Sequence, residues 1–452
     1  MPEVDRARVE DLLAEERARF DRDHPRSRRQ FDDARGSLFG GVPMSWMLKW
    51  PGGFPVVVAT AEGARLTDID GHEYVDFCLG DTGAMAGHGP DATVRTIERQ
   101  ARRGLATMLP TEDAAWVGAE LARRFGMARW QLTLTATDAN RFAIRIAREL
   151  TGRPKVLVFN HCYHGTVDET LATLDAAGEV VARPGNVGPP VDPSLTTRVV
   201  EFNDLEALEA ALAYGDVACV LAEPAMTNVG IVPPLSGFHD SLRRTTGDAG
   251  TLLVIDETHT FCAGPGGYTA AHGLEPDMVT IGKAIAGGVA AGALGMGAEL
   301  EAAAFARPES DYVDVGGIGG TLAGNPLSLA AMRATLGEVL TEEAFARTIP
   351  LAERFADGVR GVIAEAGLAW HVTQLGCRAE YLFRADPPRT GSEAAAARDD
   401  LLEDFLHLFV LNRGVLMTPF HNMALMSPAT TEADVDRHTD AFREAVAALI
   451  GE

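Results

Sequence analysis

Six short apolar runs, WQLTLT, KVLVFN, TRVVEF, ACVLAE, TLLVID and MVTIG, recur between residues 130 and 282, separated by stretches of helical periodicity. Their apolar residues do not alternate with polar ones, so both faces of each run must be covered by other parts of the chain. Strands of that kind belong to a largely parallel sheet with crossover helices on both faces, which restricts the chain to an α/β architecture. Amphipathic stretches over 90–108, 112–126 and 138–152 supply such helices.

The flanks read differently. Residues 1–30 are densely charged with apolar positions at helical spacing, an amphipathic helix rather than a signal peptide. A Gly/Pro-rich loop, GGVPMSWMLKWPGGFP, follows, and then VVVATAEGARLTDIDGHEYVDFCLG, a small meander with a turn at Asp70-Gly71. Beyond Pro326 the pattern predicts helices over 326–340 and 342–367, strands in AWHVTQ and AEYLFR, and helices near 394–413 and 431–449. The expected organisation is an N-terminal helix and meander over 1–75, counted with the small domain and the active-site rim, a large domain over 76–325 and a smaller α/β domain over 326–452.

A net charge of −24 argues against nucleic acid or an anionic membrane as partner. No apolar run reaches the ~18 to 20 residues that a membrane span needs. Cys78, Cys162, Cys219, Cys262 and Cys377 are odd in number and scattered without metal-ligand spacing, so neither a disulfide framework nor a zinc site is expected, and a cytoplasmic setting fits. Only three lysines occur among 40 basic residues: Lys49, Lys155 and Lys283. Any chemistry that needs a side-chain amine has three candidates.

In open parallel sheets, ligands bind beyond the carboxyl ends of the strands. There stand TLTATDAN, NHCYHG, EPAMTN, DETHT and GK. Each alone is satisfied by an ordinary cap or turn; five in series point to one ligand site. Asp256 closes a buried strand, where an ionised carboxylate needs a cationic partner, an organic cofactor or a metal. Lys283 follows a strand and precedes a glycine-rich stretch, whereas Lys155 opens a strand at the opposite end of the sheet and Lys49 lies in the N-terminal loop. Position favours Lys283.

The order and spacing of these motifs resemble class III pyridoxal-phosphate aminotransferases, enzymes of fold type I, and in particular their glutamate-1-semialdehyde aminomutase branch. The likeness runs from about Gly40 to the C-terminal helix. It implies that Lys283 forms a Schiff base with pyridoxal 5'-phosphate and, once released, moves the substrate proton. It implies that Thr135, Ala136 and Thr137 hold the phosphate at a helix N-terminus, although Ala136 replaces the usual glycine. Tyr163 would stack on the pyridine ring, Asp256 would pair with its nitrogen, and Asn228 and His259 would face its phenolic oxygen. Glu223 has a structural part in this scheme. Thr321, in GGTLAGNP, would reach the phosphate of a neighbouring subunit, which implies a homodimer with shared active sites. Bland alternatives for these residues are an N-cap at Thr135, packing by Tyr163 and a solvent-facing His259.

Two departures bear on substrate. Where aminomutases carry an arginine in the first loop, this chain has Trp46, Met47 and Trp50, and HNMALMSP lacks the C-terminal arginine of ornithine-type relatives. Unless Lys49, Arg413 or a more distant cation folds inward, a pocket lined by Trp46, Met47 and Tyr163 favours an amine with an apolar substituent, because a buried carboxylate without a cation is costly. The expected activity is therefore that of an amine or omega-transaminase, moving an amino group from an amine or amino acid to a keto acid through a pyridoxamine form. The alternatives are glutamate-1-semialdehyde 2,1-aminomutase, a decarboxylase or racemase on the same scaffold, and a cofactor-free regulator.

Overall fold

The computed structural model describes residues 4–307, 310–312 and 314–451. The chain packs as two compact units: one takes the residues up to Pro90, Glu343–Pro387 and the chain from Ala397 on; the other takes Asp91–Glu342 and Pro388–Ala396. The expected boundaries after 75 and 325 thus move to Pro90 and Glu342. Helix Pro326–Ala334 accounts for the second shift, since it packs on helices Asp91–Ala101 and Glu112–Phe125. Arg124 also donates to the Leu336 carbonyl at 2.6 Å.

The second unit is built on a seven-stranded sheet of β1 (Arg129–Thr133), β2 (Lys155–Phe159), β3 (Thr197–Val200), β4 (Val217–Ala222), β5 (Leu252–Asp256), β6 (Met278–Ile281) and β7 (Gly292–Met296). Their order across the sheet is β1-β7-β6-β5-β4-β2-β3, and only β7 runs against the rest. The six apolar runs all become strands. Each residue of β4 is buried, as expected for a strand covered on both sides, and full burial of each valine or leucine there contributes roughly 1.5–3 kcal/mol.

Strand β7 lay hidden in a glycine-rich stretch because its residues are small. A Cβ on Gly292 would meet the Thr133 hydroxyl at 2.5 Å, and one on Gly295 would meet the Trp130 ring at 2.7 Å. Close backbone approach, not β-propensity, selects the residues of this strand.

In the first unit, strands Val58–Glu62, Arg65–Asp68 and Glu73–Asp76 form the expected antiparallel meander, and Val415–Leu416 adds to it in parallel. A second sheet, antiparallel throughout, joins His371–Leu375, Arg378–Leu382 and Met423–Leu425. The N-terminal stretch, read as one helix, is two: Arg6–Asp23 and Pro25–Ala34. Pro25 sits at the first position of the second helix, where its missing N–H costs nothing but the preceding helix cannot continue. Among the described residues no helix is long and apolar enough to cross a membrane.

Candidate active site

Apart from β7, the strands of the seven-stranded sheet share one direction, so the turns after β1, β2, β4, β5 and β6 gather at one edge of the sheet. Helix α1 (Ala136–Thr151) starts there. Thr135 is its N-cap: the hydroxyl accepts from the Asp138 N–H at 3.2 Å and donates to the Asp138 carboxylate at 3.0 Å. First-turn N–H groups have no carbonyl of their own helix to bond, which leaves them to an anion. Thr137 accepts from the Thr166 N–H at 3.2 Å, tying this turn to the one that follows β2.

Two glycines permit the close approach. Gly165 has φ +80°, and a Cβ there would collide with the Thr137 hydroxyl. A Cβ on Gly282 would come within 2.9 Å of both the backbone nitrogen and the Cβ of Ala136. The replacement of the family's glycine by Ala136 thus leaves the helix start intact, packed against the residue that precedes Lys283.

Lys283 is half-buried and has φ 48°, in the left-handed region that non-glycine residues avoid. Such a backbone costs about 1–3 kcal/mol and concentrates at functional sites. Its Nζ lies 2.9 Å from Nε2 of His259, which is half-buried rather than solvent-facing. Lys155, by contrast, opens β2 at the far edge and pairs with Asp216 at 3.3 Å.

Asp256 is 3% exposed at the end of β5. One oxygen, Oδ2, accepts from His164 Nδ1 at 2.9 Å and from Asn140 Nδ2 at 2.8 Å; the other accepts from the Thr258 N–H at 3.0 Å. Asn140, one turn into α1, also donates to the His164 carbonyl and accepts from the Thr280 hydroxyl at 2.6 Å. Burial works against the Asp256 carboxylate, but the His164 hydrogen bond and charge, with Thr258 and Asn140, hold its carboxyl below the usual range. Burial likewise works against a charged His164, and the Cys162 sulfur and Asp256 outweigh it, so its imidazolium persists above the ordinary range. The two groups share a buried hydrogen bond in which each favours the charged form of the other.

Tyr163 is half-buried in the same turn as His164. Asn228 donates to the His161 carbonyl at 2.8 Å, two residues from that tyrosine. Glu223 is buried, with a carboxyl raised by desolvation, and accepts from the Thr227 hydroxyl at 2.5 Å, a closure of its own turn. Thr321 is exposed, on a loop before the N-cap of helix Pro326–Ala334. Trp46 and Met47 belong to the first unit, on the short 3-10 turn Ser45–Lys49. There Trp46 meets the Phe420 ring edge-on at 5.7 Å, and Lys49 Nζ lies 5.0 Å over the same ring.

Sequence reasoning missed Asn140 and the part played by His164. One signal was available: Asn140 is a lone amide on the apolar face of α1, among Ala139, Ala143 and Ile144.

These residues suit a phosphorylated pyridine aldehyde. A helix start between two obligatory glycines fits its phosphate. A buried carboxylate, given one accepting position beyond its three donors among the described residues, fits a ring N–H. A lysine stands nearby for its aldehyde.

The comparisons give this chemistry its family. The aminotransferase class-III family model matches residues 48–446, and the chain belongs to that family of pyridoxal-phosphate-dependent, fold-type I enzymes. Among curated proteins it is 34% identical over 439 residues to the glutamate-1-semialdehyde 2,1-aminomutase of Sorangium cellulosum, covering 95% of this chain and 98% of that one. Among solved structures it is 54% identical to a glutamate-1-semialdehyde-aminomutase from Pseudomonas aeruginosa PAO1, with a TM-score of 0.96 over 99% of both chains; a lysine-to-alanine variant of that aminomutase is in complex with PMP. A beta-phenylalanine aminotransferase from Variovorax paradoxus is 28% identical, with a TM-score of 0.85 over 96% of this chain and 97% of that one. These likenesses favour the aminomutase alternative over the amine transaminase expected from the apolar loop.

Proposed function

We propose that this chain is an aminomutase, moving an amino group between neighbouring carbons of one small molecule, with glutamate 1-semialdehyde the first candidate substrate. The observation that carries the reading is the likeness, over 99% of both chains, to the Pseudomonas aeruginosa aminomutase. The apolar first loop is a weaker counter-argument than its sequence suggests. Arg413 is committed to Glu16 at 3.0 Å and Glu444 at 3.2 Å. Lys49, within the loop itself, has no carboxylate within ion-pair distance among the described residues, which keeps it a candidate partner for a substrate carboxylate.

Pyridoxal phosphate, when bound, supplies an electron sink for negative charge developing at the substrate carbon. The chain's own residues do the rest. Thr135, Ala136 and Thr137 hold the phosphate, Tyr163 covers the ring, Asn228 faces its phenolic oxygen, and Asp256, itself held by His164 and Asn140, keeps the ring nitrogen protonated. Lys283 anchors the cofactor and then takes and returns the substrate proton at its Nζ, with His259 as the adjacent proton acceptor. Thr321 acts on the cofactor of a second copy of the chain. Exposed Met108, Leu109 and Val315, 79%, 72% and 80% accessible, support burial against such a copy. Five buried free cysteines fit a reducing, cytoplasmic compartment.

The test is direct. Purified protein given glutamate 1-semialdehyde, with no keto acid added, is expected to form 5-aminolevulinate. Failure to do so, together with amino transfer from 1-phenylethylamine or a beta-amino acid to pyruvate, would replace this reading by the omega-transaminase one, which Trp46, Met47 and the beta-phenylalanine aminotransferase likeness support. Carbon dioxide release or racemisation without either transfer would point instead to decarboxylase or racemase chemistry.

A further inference from the structure

His24, Asp68 and His72 offer ligand atoms that all lie within 4.8 Å of one another, in the first unit and outside the machinery above. His24 sits at the break between the two N-terminal helices. Asp68 ends the second strand of the meander, His72 lies in the turn that follows, and Tyr74 stands in the third strand.

Two of the three ligands are oriented through the atom they would not use. His24 Nδ1 lies 2.7 Å from the Phe20 carbonyl, which only accepts, so Nδ1 carries the proton and Nε2 a lone pair. Asp68 Oδ1 accepts from the N–H groups of Gly71 at 2.7 Å and His72 at 2.9 Å, which leaves Oδ2 turned to the cluster. Support of this kind around ligand imidazoles and carboxylates is what metal sites require.

The proton count is one short. The Tyr74 hydroxyl is 2.8 Å from His24 Nε2 and 2.7 Å from Asp68 Oδ2, two acceptors for one hydrogen. A second proton on His24, or a metal ion bound by these groups, makes up the difference.

We propose that His24 Nε2, Asp68 Oδ2 and His72 form a site for a divalent transition metal of the zinc class, with the Tyr74 hydroxyl or water completing it. His24 Nε2 and His72 Nδ1 stand 3.5 Å and 3.1 Å from Asp68 Oδ2. Ligands about 2.0–2.1 Å from a tetrahedral zinc are separated by about 3.3 Å. The His72 side chain, 42% accessible, gives the ion its way in. The site would fasten the N-terminal helices to the meander.

To test it, the full-length enzyme carrying its cofactor is stripped with a chelator and dialysed against zinc chloride, and bound zinc is measured by mass spectrometry. One zinc per chain is expected, with thermal unfolding moved upward. His72→Ala and His24→Gln are each expected to weaken binding by about tenfold or more. His72 is solvent-accessible, so His72→Ala keeps the test decisive even where His24→Gln does not fold. No stoichiometric zinc on the parent protein, or equal zinc on the parent and His72→Ala, overturns the proposal.

Discussion

The amine of Lys283 stands 2.9 Å from Nε2 of His259, a contact made between the turns that follow two paired parallel strands. A proton released by either group has the other within hydrogen-bond reach. His259→Gln keeps a hydrogen-bonding side chain of similar reach but cannot take up a proton. We expect cofactor binding to persist, turnover to fall by roughly 10- to 100-fold, and the pH–rate profile to lose one limb. A profile unchanged in shape would assign His259 to packing.

Lys283→Ala is expected to abolish the visible absorbance of the lysine-bound cofactor and to cut activity by about a thousandfold or more. Lys155→Ala, at the opposite edge of the sheet, serves as the contrast: it loses only the contact with Asp216 and retains both signals. Absorbance spectra of the two purified variants, compared with the parent, decide the point.

The Asp256–His164 pair ties stability to pH. Folding depresses the Asp256 carboxyl, so its contribution is present above the ordinary carboxyl range and is lost as pH falls through the depressed value. Folding raises His164, so its contribution is complete below about pH 6.5 and fades as pH climbs through the raised value. Asp256→Asn removes the carboxylate that favours the His164 proton, and loss of this buried contact is expected to cost about 3–5 kcal/mol near neutrality. Urea unfolding midpoints measured from neutral to alkaline pH should converge for parent and variant; parallel curves would refute the coupling.

Gly282→Ala probes the approach of the Lys283 turn to α1. The added methyl would lie 2.9 Å from the Ala136 nitrogen, closer than real contacts allow. Overpacking of this kind costs about 1–3 kcal/mol, and cofactor affinity, read by fluorescence titration, should drop by about tenfold or more. A Gly282→Ala protein with the parent's affinity would mean that the helix start moves freely.

Lys49→Met separates the two substrate readings. If Lys49 meets a carboxylate, KM for glutamate 1-semialdehyde should rise by about tenfold, the worth of one exposed-to-half-buried charge contact of ~1.4 kcal/mol. Turnover of an uncharged amine such as 1-phenylethylamine should not respond.

The placement of Lys283 and Asp256 at one edge of the sheet was legible because each stands at the end of an unbroken apolar run, and the parallel sheet turns that position into an address. The Asn140–Asp256–His164 network was not, since it joins residues 116 and 92 positions apart whose partnership exists only once α1 lies on the sheet. Strand β7 escaped notice because glycine and alanine carry little strand preference. The helix break at His24 was signalled by Pro25 alone. The substrate reading rested on arginines missing from two loops, and the likeness to the Pseudomonas aeruginosa aminomutase favours the alternative weighed beside it.

The three lysines end in three unlike neighbourhoods: Lys49 over the Phe420 ring, Lys155 against Asp216, Lys283 against His259. Amine-directed labelling followed by peptide mass spectrometry therefore has three lysine peptides to follow, and the proposed role of Lys283 predicts that its peptide is spared when cofactor is bound, with Lys155 as an internal standard. For anyone coupling this protein to a support or a dye, the same sparseness leaves few side-chain amines to choose from.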